Sequence, residues 1–294
     1  MDGLSILIPV YNEAPKIRSV FQRLFQSSCT VEREWIVIDD CSTDGTSEIL
    51  EDLRRQYGFV LIRHERNRGK GAAIVTGLKT ATRNLVMIQD ADFEYDPRDI
   101  PKLIAPMIRG EADVVYGSRF KNSAQVHRTY HYFVNKSLTL LSNLLSGLYL
   151  TDMETCYKVF RRDLINEMRL RSRRFGIEVE LTAYVAKVRA RVYEIPISYY
   201  PRTHLGGKKI SWKDGVAALW HLIYFNLFVS VEEAFVKVPE DYQKREVNLP
   251  DVDPPREPLA SLPRPRSTNS NLEAPLRILR TTKKIAHQII GTKA

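Results

Sequence analysis

The sequence predicts an α/β fold with a mostly parallel central sheet covered by helices on both faces. Three observations predict it. Apolar runs of strand length alternate with amphipathic segments of helical period through residue 119. The runs are continuous rather than alternating, as strands buried on both faces require. Each run also ends in a polar cluster, and ligands of such sheets sit beyond the carboxyl ends of the strands.

In order, "LSILIPV" reads as the first strand, and "EAPKIRSVFQRLFQS" as a helix with Ile17, Phe21, Leu24 and Phe25 at helical spacing. Pro15 suits an early helical turn. "EWIVIDD" is the second strand, followed by Ser42, Thr43 and Asp44 as cap candidates for the helix "TSEILEDLRRQY". "VLIRHE" is the third, and after "RNRGKG" comes the helix "AAIVTGLKTAT". "LVMIQDAD" is the fourth, then the helix "PRDIPKLIAPMIRG" and a fifth strand, "DVVYGSR". From residue 121 the pattern becomes more helical, with the amphipathic "YFVNKSLTLLSNLLSGLYL". "TDMETCYKVFRRD", "RFGIEVELTAYVAKV", the strand-like "RVYEIPISYYPR" and "GGKKISWKDG" follow. Residues 1–238 are expected to form one domain. Residues 239–271 hold seven of the 15 prolines and are expected to be an extended, disordered linker. Residues 272–294 place Leu272, Leu276, Leu279, Ile285 and Ile289 near one helical face with basic residues around it, a tail helix suited to a membrane surface or to the protein's own core.

The 294 residues carry a net charge of +9, which favours anionic partners: nucleotides, nucleic acid or an acidic membrane. No nucleic-acid module accompanies the charge. Cys29, Cys41 and Cys156 form no C-x-x-C pair, which indicates neither a disulfide framework nor a zinc site and fits a reducing compartment. "MDGLSILIPVYNE" is too short, too acidic and too quickly polar for a signal peptide, so a cytoplasmic protein is expected. The run "VAALWHLIYFNLFVSV", residues 216–231, is interrupted by His221 and Asn226 and falls short of the roughly 20 residues that span a bilayer. It reads as a buried or interfacial helix.

"QDADFEYDP" sets Asp90, Asp92, Glu94 and Asp96 at every second position, so an extended chain points all four carboxylates one way. Such a group needs a positive partner, and Mg²⁺ takes one or two carboxylates plus substrate phosphates. Alone, D-x-D also describes a solvated acidic turn. Asp96, directly before Pro97, reads as a helix N-cap; Glu94 stays unassigned.

Together, "IPVYNE", "DDCSTDGT", "NRGKGAA", "QDAD" and "GSRF" resemble, in order and spacing, the family 2 inverting glycosyltransferases of the GT-A fold. "LTDMETCYKVFRRD" and "YEIPISYYPRT...GKKISWKDG" resemble the branch of dolichyl- and polyprenyl-phosphate sugar transferases, the dolichyl-phosphate mannose synthase group. The likeness covers roughly residues 4–224 and implies a nucleotide-diphospho-sugar transferase fold with C-terminal amphipathic helices. It also implies a hexosyltransferase that takes a UDP- or GDP-sugar with Mg²⁺ or Mn²⁺ and a polyprenyl phosphate acceptor. It would work as a peripheral protein on the cytoplasmic membrane face. Two C-terminal transmembrane helices found in some relatives are absent from the sequence, so membrane contact would rest on residues 131–150, residues 216–231 and the tail.

The resemblance assigns roles residue by residue. Pro9, Tyr11 and Glu13 line the nucleotide pocket, with Tyr11 facing the base; Pro9 alternatively only ends a strand. Asp39 and Asp40 accept from base and ribose, or cap the next helix. Lys70 and the backbone N–H groups of "NRGKGAA" approach phosphate. Asp90 and Asp92 hold metal and donor, Asp92 as the direct ligand, with the small Ala91 letting the backbone pass close to the sugar. Asp152 is the chosen base or acceptor orienter, with a helix cap or buried ion pair as its other reading, and Glu154 is left open. Arg119, Arg202, Lys208 and Lys209 clamp phosphate, and Arg128 and Asn135 lie near the acceptor phosphate. Glu178 and Glu180 are read as supporting a helix start. Two rivals remain: transfer to a sugar hydroxyl in polysaccharide or glycolipid assembly, and a non-catalytic nucleotide-binding scaffold.

Overall fold

The computed structural model describes residues 3–121, 129–174, 176–201 and 212–243. The chain divides into two units, Met1–Glu246 and Val247–Ala294, and the described residues all belong to the first. The tail and most of the proline tract lie outside them. The first residues of the expected linker are described and are not extended: Glu240–Gln243 is a short helix whose Tyr242 is buried.

The expected alternation is present. It runs β1 (Gly3–Val10), α1 (Ile17–Gln26), β2 (Glu32–Asp39), α2 (Thr46–Tyr57), β3 (Val60–Arg63), α3 (Lys70–Leu78), β4 (Leu85–Ile88), a 3₁₀ turn (Pro97–Asp99), α4 (Ile100–Ile108) and β5 (Val114–Ser118). Then follow α5 (Thr129–Ser146), β6 (Lys158–Arg161), α6 (Arg162–Asn166), α7 (Ile177–Lys187), β7 (Val192–Pro196), α8 (Trp212–Ile223), a π-helical turn (Tyr224–Phe228), α9 (Val231–Ala234) and α10 (Glu240–Gln243). Among the described residues the strands form one seven-stranded sheet in the order β3-β2-β1-β4-β6-β5-β7.

β1 lies in the middle, parallel to both β2 and β4. Its ladder to β4 stops at Leu7 opposite Ile88, and Gln89 N–H donates to the Leu7 carbonyl at 2.9 Å. Pro9, which has no N–H to give, stands just beyond, still in register with Ile38 of β2. β6 is the exception to the parallel pattern, antiparallel to both β4 and β5. Met87 pairs with Val159, so the segment before β6 runs back alongside the segment after β4. That juxtaposition brings "QDAD" beside "TDMETC".

α3 packs closest to the sheet. Its Gly77 faces Leu7 and Ile38, and a Cβ there would lie 3.0 and 2.9 Å from their methyl groups. Small residues let the helix approach the strands that end in the polar clusters. α5, α7, α8 and the π turn pack together, with α7 buried along nearly all its length.

Candidate active site

The strand ends meet through hydrogen bonds that stitch adjacent loops. The turn after β1 is tied to the turn after β2: Asn12 N–H donates to Ser42 Oγ, Thr43 N–H to Asn12 Oδ1, and Glu13 N–H to Thr46 Oγ1, all at 2.8–3.0 Å. Asn12 and Cys41 both adopt positive φ, 53° and 62°. Left-handed backbone at two non-glycine residues at adjacent strand ends marks a place where the surroundings fix the chain, as functional sites often do. Tyr11 stands 37% exposed at this edge.

Asp39 and Asp40 are buried and already carry protein donors. Asp39 accepts from Ser42 N–H at 2.9 Å and from the Ser47 hydroxyl, tying β2 to α2. Asp40 accepts from Arg68 N–H at 2.8 Å, Gly69 N–H at 2.7 Å and His64 Nδ1 at 2.7 Å. A carboxylate accepts only, so His64 carries its hydrogen on Nδ1. Through these bonds Asp40 folds the loop that leads into α3.

The N–H groups that open α3 point at protein: Gly71 N–H donates to the Arg173 carbonyl at 2.9 Å, and Ala72 N–H to the same oxygen at 3.4 Å. A Cβ on Gly71 would lie 2.0 Å from the Ser172 oxygen, and one on Gly69 2.3 Å from the Arg173 oxygen. The glycines admit the 171–174 segment. Glu180 fixes the other side of that segment by accepting from Arg171 N–H and Ser172 N–H at 2.7 and 2.8 Å. Arg173 and Arg174 are left exposed beside the start of α3.

The four carboxylates of "QDADFEYDP" separate cleanly. Asp90 pairs with the Lys70 ammonium at 2.8 Å. Asp92 Oδ1 accepts from Glu94 N–H at 2.9 Å, which turns the chain, and Ala91 is buried between the two aspartates. Glu94 accepts from the Tyr199 hydroxyl at 2.9 Å and anchors the segment that follows β7. Asp96 caps the 3₁₀ turn through Arg98 N–H and pairs with Arg98 and Arg23. The segment is buttressed from beneath: Tyr157 donates to Gln89 Oε1 at 2.7 Å, and Cys156 N–H to the Tyr95 hydroxyl at 2.9 Å.

Asp152 is fully buried and receives Arg119 through three bonds of 2.7–2.9 Å, from N–H, Nε and Nη2. The ion-pair reading describes its geometry, and the pair locks "GSRF" to "TDMETC". Arg119 in turn lies over the Tyr199 ring, 5.2 Å from its centre. Glu154, two residues on, is different. One of its oxygens is buried without a hydrogen-bond partner, and burial plus the nearby Glu178 carboxylate push its pKa up to about 7 against the pull of Lys158 and Arg119. Lys158 is buried and donates to the Thr155 carbonyl; burial lowers its pKa although Glu178 and Glu154 oppose this.

Sequence reasoning missed Glu178. It accepts from Lys70 at 2.9 Å, so the ammonium bridges Asp90 and Glu178, and its second oxygen is buried without a partner. Burial opposes the charge on Lys70, but the Asp90 and Glu178 carboxylates hold its pKa well above the usual lysine range. The available signal was two glutamates in the first turn of a helix whose other residues are mostly apolar. Asn135 is half-buried on α5. Arg128, Arg202, Lys208 and Lys209 lie outside the described residues.

The Asp90–Asp92 pair fits a divalent cation of the kind that arrives with a diphosphate. Asp90 is 27% exposed and already holds a cationic group. Among the described residues no cluster of three or more His, Cys, Asp or Glu is arranged to hold an ion alone. Two carboxylates would therefore need phosphate oxygens to complete the ligand set, which is the usual habit of Mg²⁺.

Away from the cleft, α5 and α8 pack together yet leave large apolar side chains in the open. Phe133, Leu140, Leu144, Trp220, Leu227 and Phe228 are each at least 60% exposed. Trp220 stacks on Tyr224, whose hydroxyl meets Arg171 at 3.5 Å, so this surface adjoins the basic 169–174 segment. Among the described residues no helix is long and apolar enough to cross a membrane.

A doubly covered α/β sheet whose strand ends converge on a partly exposed aspartate pair is an architecture able to take a phosphorylated ligand with its cation. Residues 5–169 match glycosyl transferase family 2, and the chain belongs to that family; it is a family 2 glycosyltransferase. It is 29% identical over 212 residues to the UDP-N-acetylglucosamine–dolichyl-phosphate N-acetylglucosaminyltransferase of Methanococcus voltae, covering 65% of this chain and 83% of that one. It is 26% identical over 223 residues to the dolichol-phosphate mannosyltransferase of Pyrococcus furiosus, covering 74% of this chain but only 62% of the relative. The fold is that of glucosyl-3-phosphoglycerate synthase from Mycobacterium tuberculosis, solved with Mn²⁺, uridine diphosphate and product. The TM-score is 0.59 at 20% identity, covering 76% of this chain and 80% of that one, and the fold class expected from the sequence, GT-A, is the one found.

Proposed function

We propose that this enzyme moves a sugar, with inversion and with Mg²⁺ or Mn²⁺, from a UDP- or GDP-sugar to a polyprenyl phosphate at the cytoplasmic face of a membrane. The observation that carries the lipid acceptor is the exposed apolar surface of α5, α8 and the π turn, continuous with the arginines of the 169–174 segment. Apolar side chains enter the acyl boundary while arginines meet anionic headgroups. The two dolichyl-phosphate transferases among its relatives support the same acceptor, and the synthase complex supports a uridine diphosphate donor and Mn²⁺.

In this reading Asp90 and Asp92 would hold the cation, which when bound would supply Lewis-acid stabilisation of the charge on the leaving diphosphate. Tyr11 offers its ring to the base. An oxygen of the acceptor phosphate attacks the anomeric carbon from the face opposite the diphosphate, the carbon–oxygen bond to the donor breaks, and the electron pair leaves with the nucleoside diphosphate. A phosphate monoester with a second pKa of about 6 is largely dianionic at neutral pH, so no strong base is required.

One observation favours a second reading. Glu154, poised near pH 7 with a buried unpartnered oxygen, is suited to take a proton from a sugar hydroxyl. The test sets labelled UDP- and GDP-sugars with Mn²⁺ and detergent-dispersed undecaprenyl phosphate against a panel of sugar acceptors. Lipid-linked product that survives Glu154→Gln supports the phosphate acceptor. Transfer only to a hydroxyl, lost in Glu154→Gln, establishes the second reading instead.

A further inference from the structure

The bridge made by Lys70 lies where the cation is expected, and it joins two carboxylates from elements far apart in the chain. Lys70 opens α3, Asp90 follows β4 and Glu178 lies in the first turn of α7. The ammonium is 2.8 Å from Asp90 and 2.9 Å from Glu178, and its side chain is only 16% exposed. The two carboxylates differ in access: Asp90 is 27% exposed and Glu178 9%. A cation arriving from solvent meets Asp90 first.

We propose that Lys70 is a resident counter-ion for Asp90 which the divalent cation replaces, and that Glu178 keeps the displaced ammonium inside the site. The inference rests on the metal-dependent reading above. Without a positive partner Asp90 would be a carboxylate set between Asp92 and, across the Lys70 bridge, Glu178, and the ammonium offsets that repulsion in the free enzyme. Once the metal takes Asp90, Glu178 retains Lys70, because a nearly buried carboxylate stripped of its partner is costly. An ammonium has three N–H donors; one remains committed to Glu178 and the others become available to phosphate oxygens. Glu178 is thus a positioning residue, acting through Lys70. The same exchange makes metal binding weak until a diphosphate adds its own oxygens, which ties the cation to the presence of donor.

Crystal structures of the whole enzyme with Mn²⁺ alone and with Mn²⁺ and uridine diphosphate test this, together with calorimetric titration of Mn²⁺ into wild type, Lys70→Gln and Glu178→Ala. The expected result is metal on Asp90 in the ternary complex, with Lys70 Nζ beyond hydrogen-bond distance of Asp90 and still on Glu178. In titration without nucleotide, Lys70→Gln should bind Mn²⁺ about tenfold more tightly than wild type. In the ternary structure of Glu178→Ala, which leaves no side-chain acceptor at that position, Lys70 should no longer be held there. Metal bound beside an intact Lys70–Asp90 pair would overturn the exchange while leaving metal dependence standing. No metal in either complex would overturn the metal-dependent reading and the exchange with it.

Discussion

Asp96, which is buried, and Glu154, which is half-buried, are two carboxylates whose surroundings push them in opposite directions. Burial disfavours the charge of Asp96, but the side chain and N–H of Arg98, with Arg23, outweigh it and lower its pKa to about 2. A folded-state pKa below the unfolded value contributes stability that is present above about pH 4 and lost as pH falls through 2. The shift corresponds to about 2 kcal/mol at neutral pH. Asp96→Asn should therefore lower urea-unfolding stability by about that much at pH 7, with the difference closing toward pH 2. Glu154 has the reverse sign: its raised pKa means the folded state binds the proton more tightly, so its contribution is lost as pH rises from 4.5 to 7. Measured between those values, stability should fall less steeply in Glu154→Gln than in wild type. The capping role of Asp96 was legible from Asp before Pro. The Lys70–Glu178 contact was not, because its partners are 108 residues apart and no local pattern joins them.

At the scale of elements, the parallel alternation of β1 to β5 was legible because strands buried on both faces leave long apolar runs. β6 was not: "KVFR" is four residues long, carries two charges and enters the sheet antiparallel between β4 and β5. Its position decides the site, since it sets the "TDMETC" segment alongside "QDAD". The glycines of "NRGKGAA" were legible as a close approach, and the group the structure shows approaching is the backbone of Ser172 and Arg173. Gly71→Ala should consequently destabilise the protein by about 3 kcal/mol, as overpacking against a carbonyl does. It should also displace the start of α3 and with it Lys70. Thermal unfolding together with Mn²⁺ and nucleotide binding would register both effects, and unchanged stability would mean the segment yields without cost.

For the whole molecule, the fold places the polar strand ends, the Asp90–Asp92 pair and an apolar surface edged with arginine on one compact unit. The strand ends are the part the sequence declared, through five polar clusters in order. The surface is the part it only hinted at, because "YFVNKSLTLLSNLLSGLYL" and "VAALWHLIYFNLFVSV" can equally be buried, and only packing reveals which side chains stay outside. Each large apolar side chain taken out of water contributes about 1.5–3 kcal/mol, so one charged replacement there should cost at least tenfold in membrane association. The most direct measurement is transfer of labelled sugar to polyprenyl phosphate held in anionic phospholipid vesicles, read as label extracted into organic solvent. Wild type should give Mn²⁺-dependent lipid-linked product, reduced tenfold or more by Trp220→Glu with Phe228→Glu while transfer to detergent-dispersed acceptor is kept. Label found only in water-soluble glycans, or in no acceptor with any nucleotide sugar, would contradict the account.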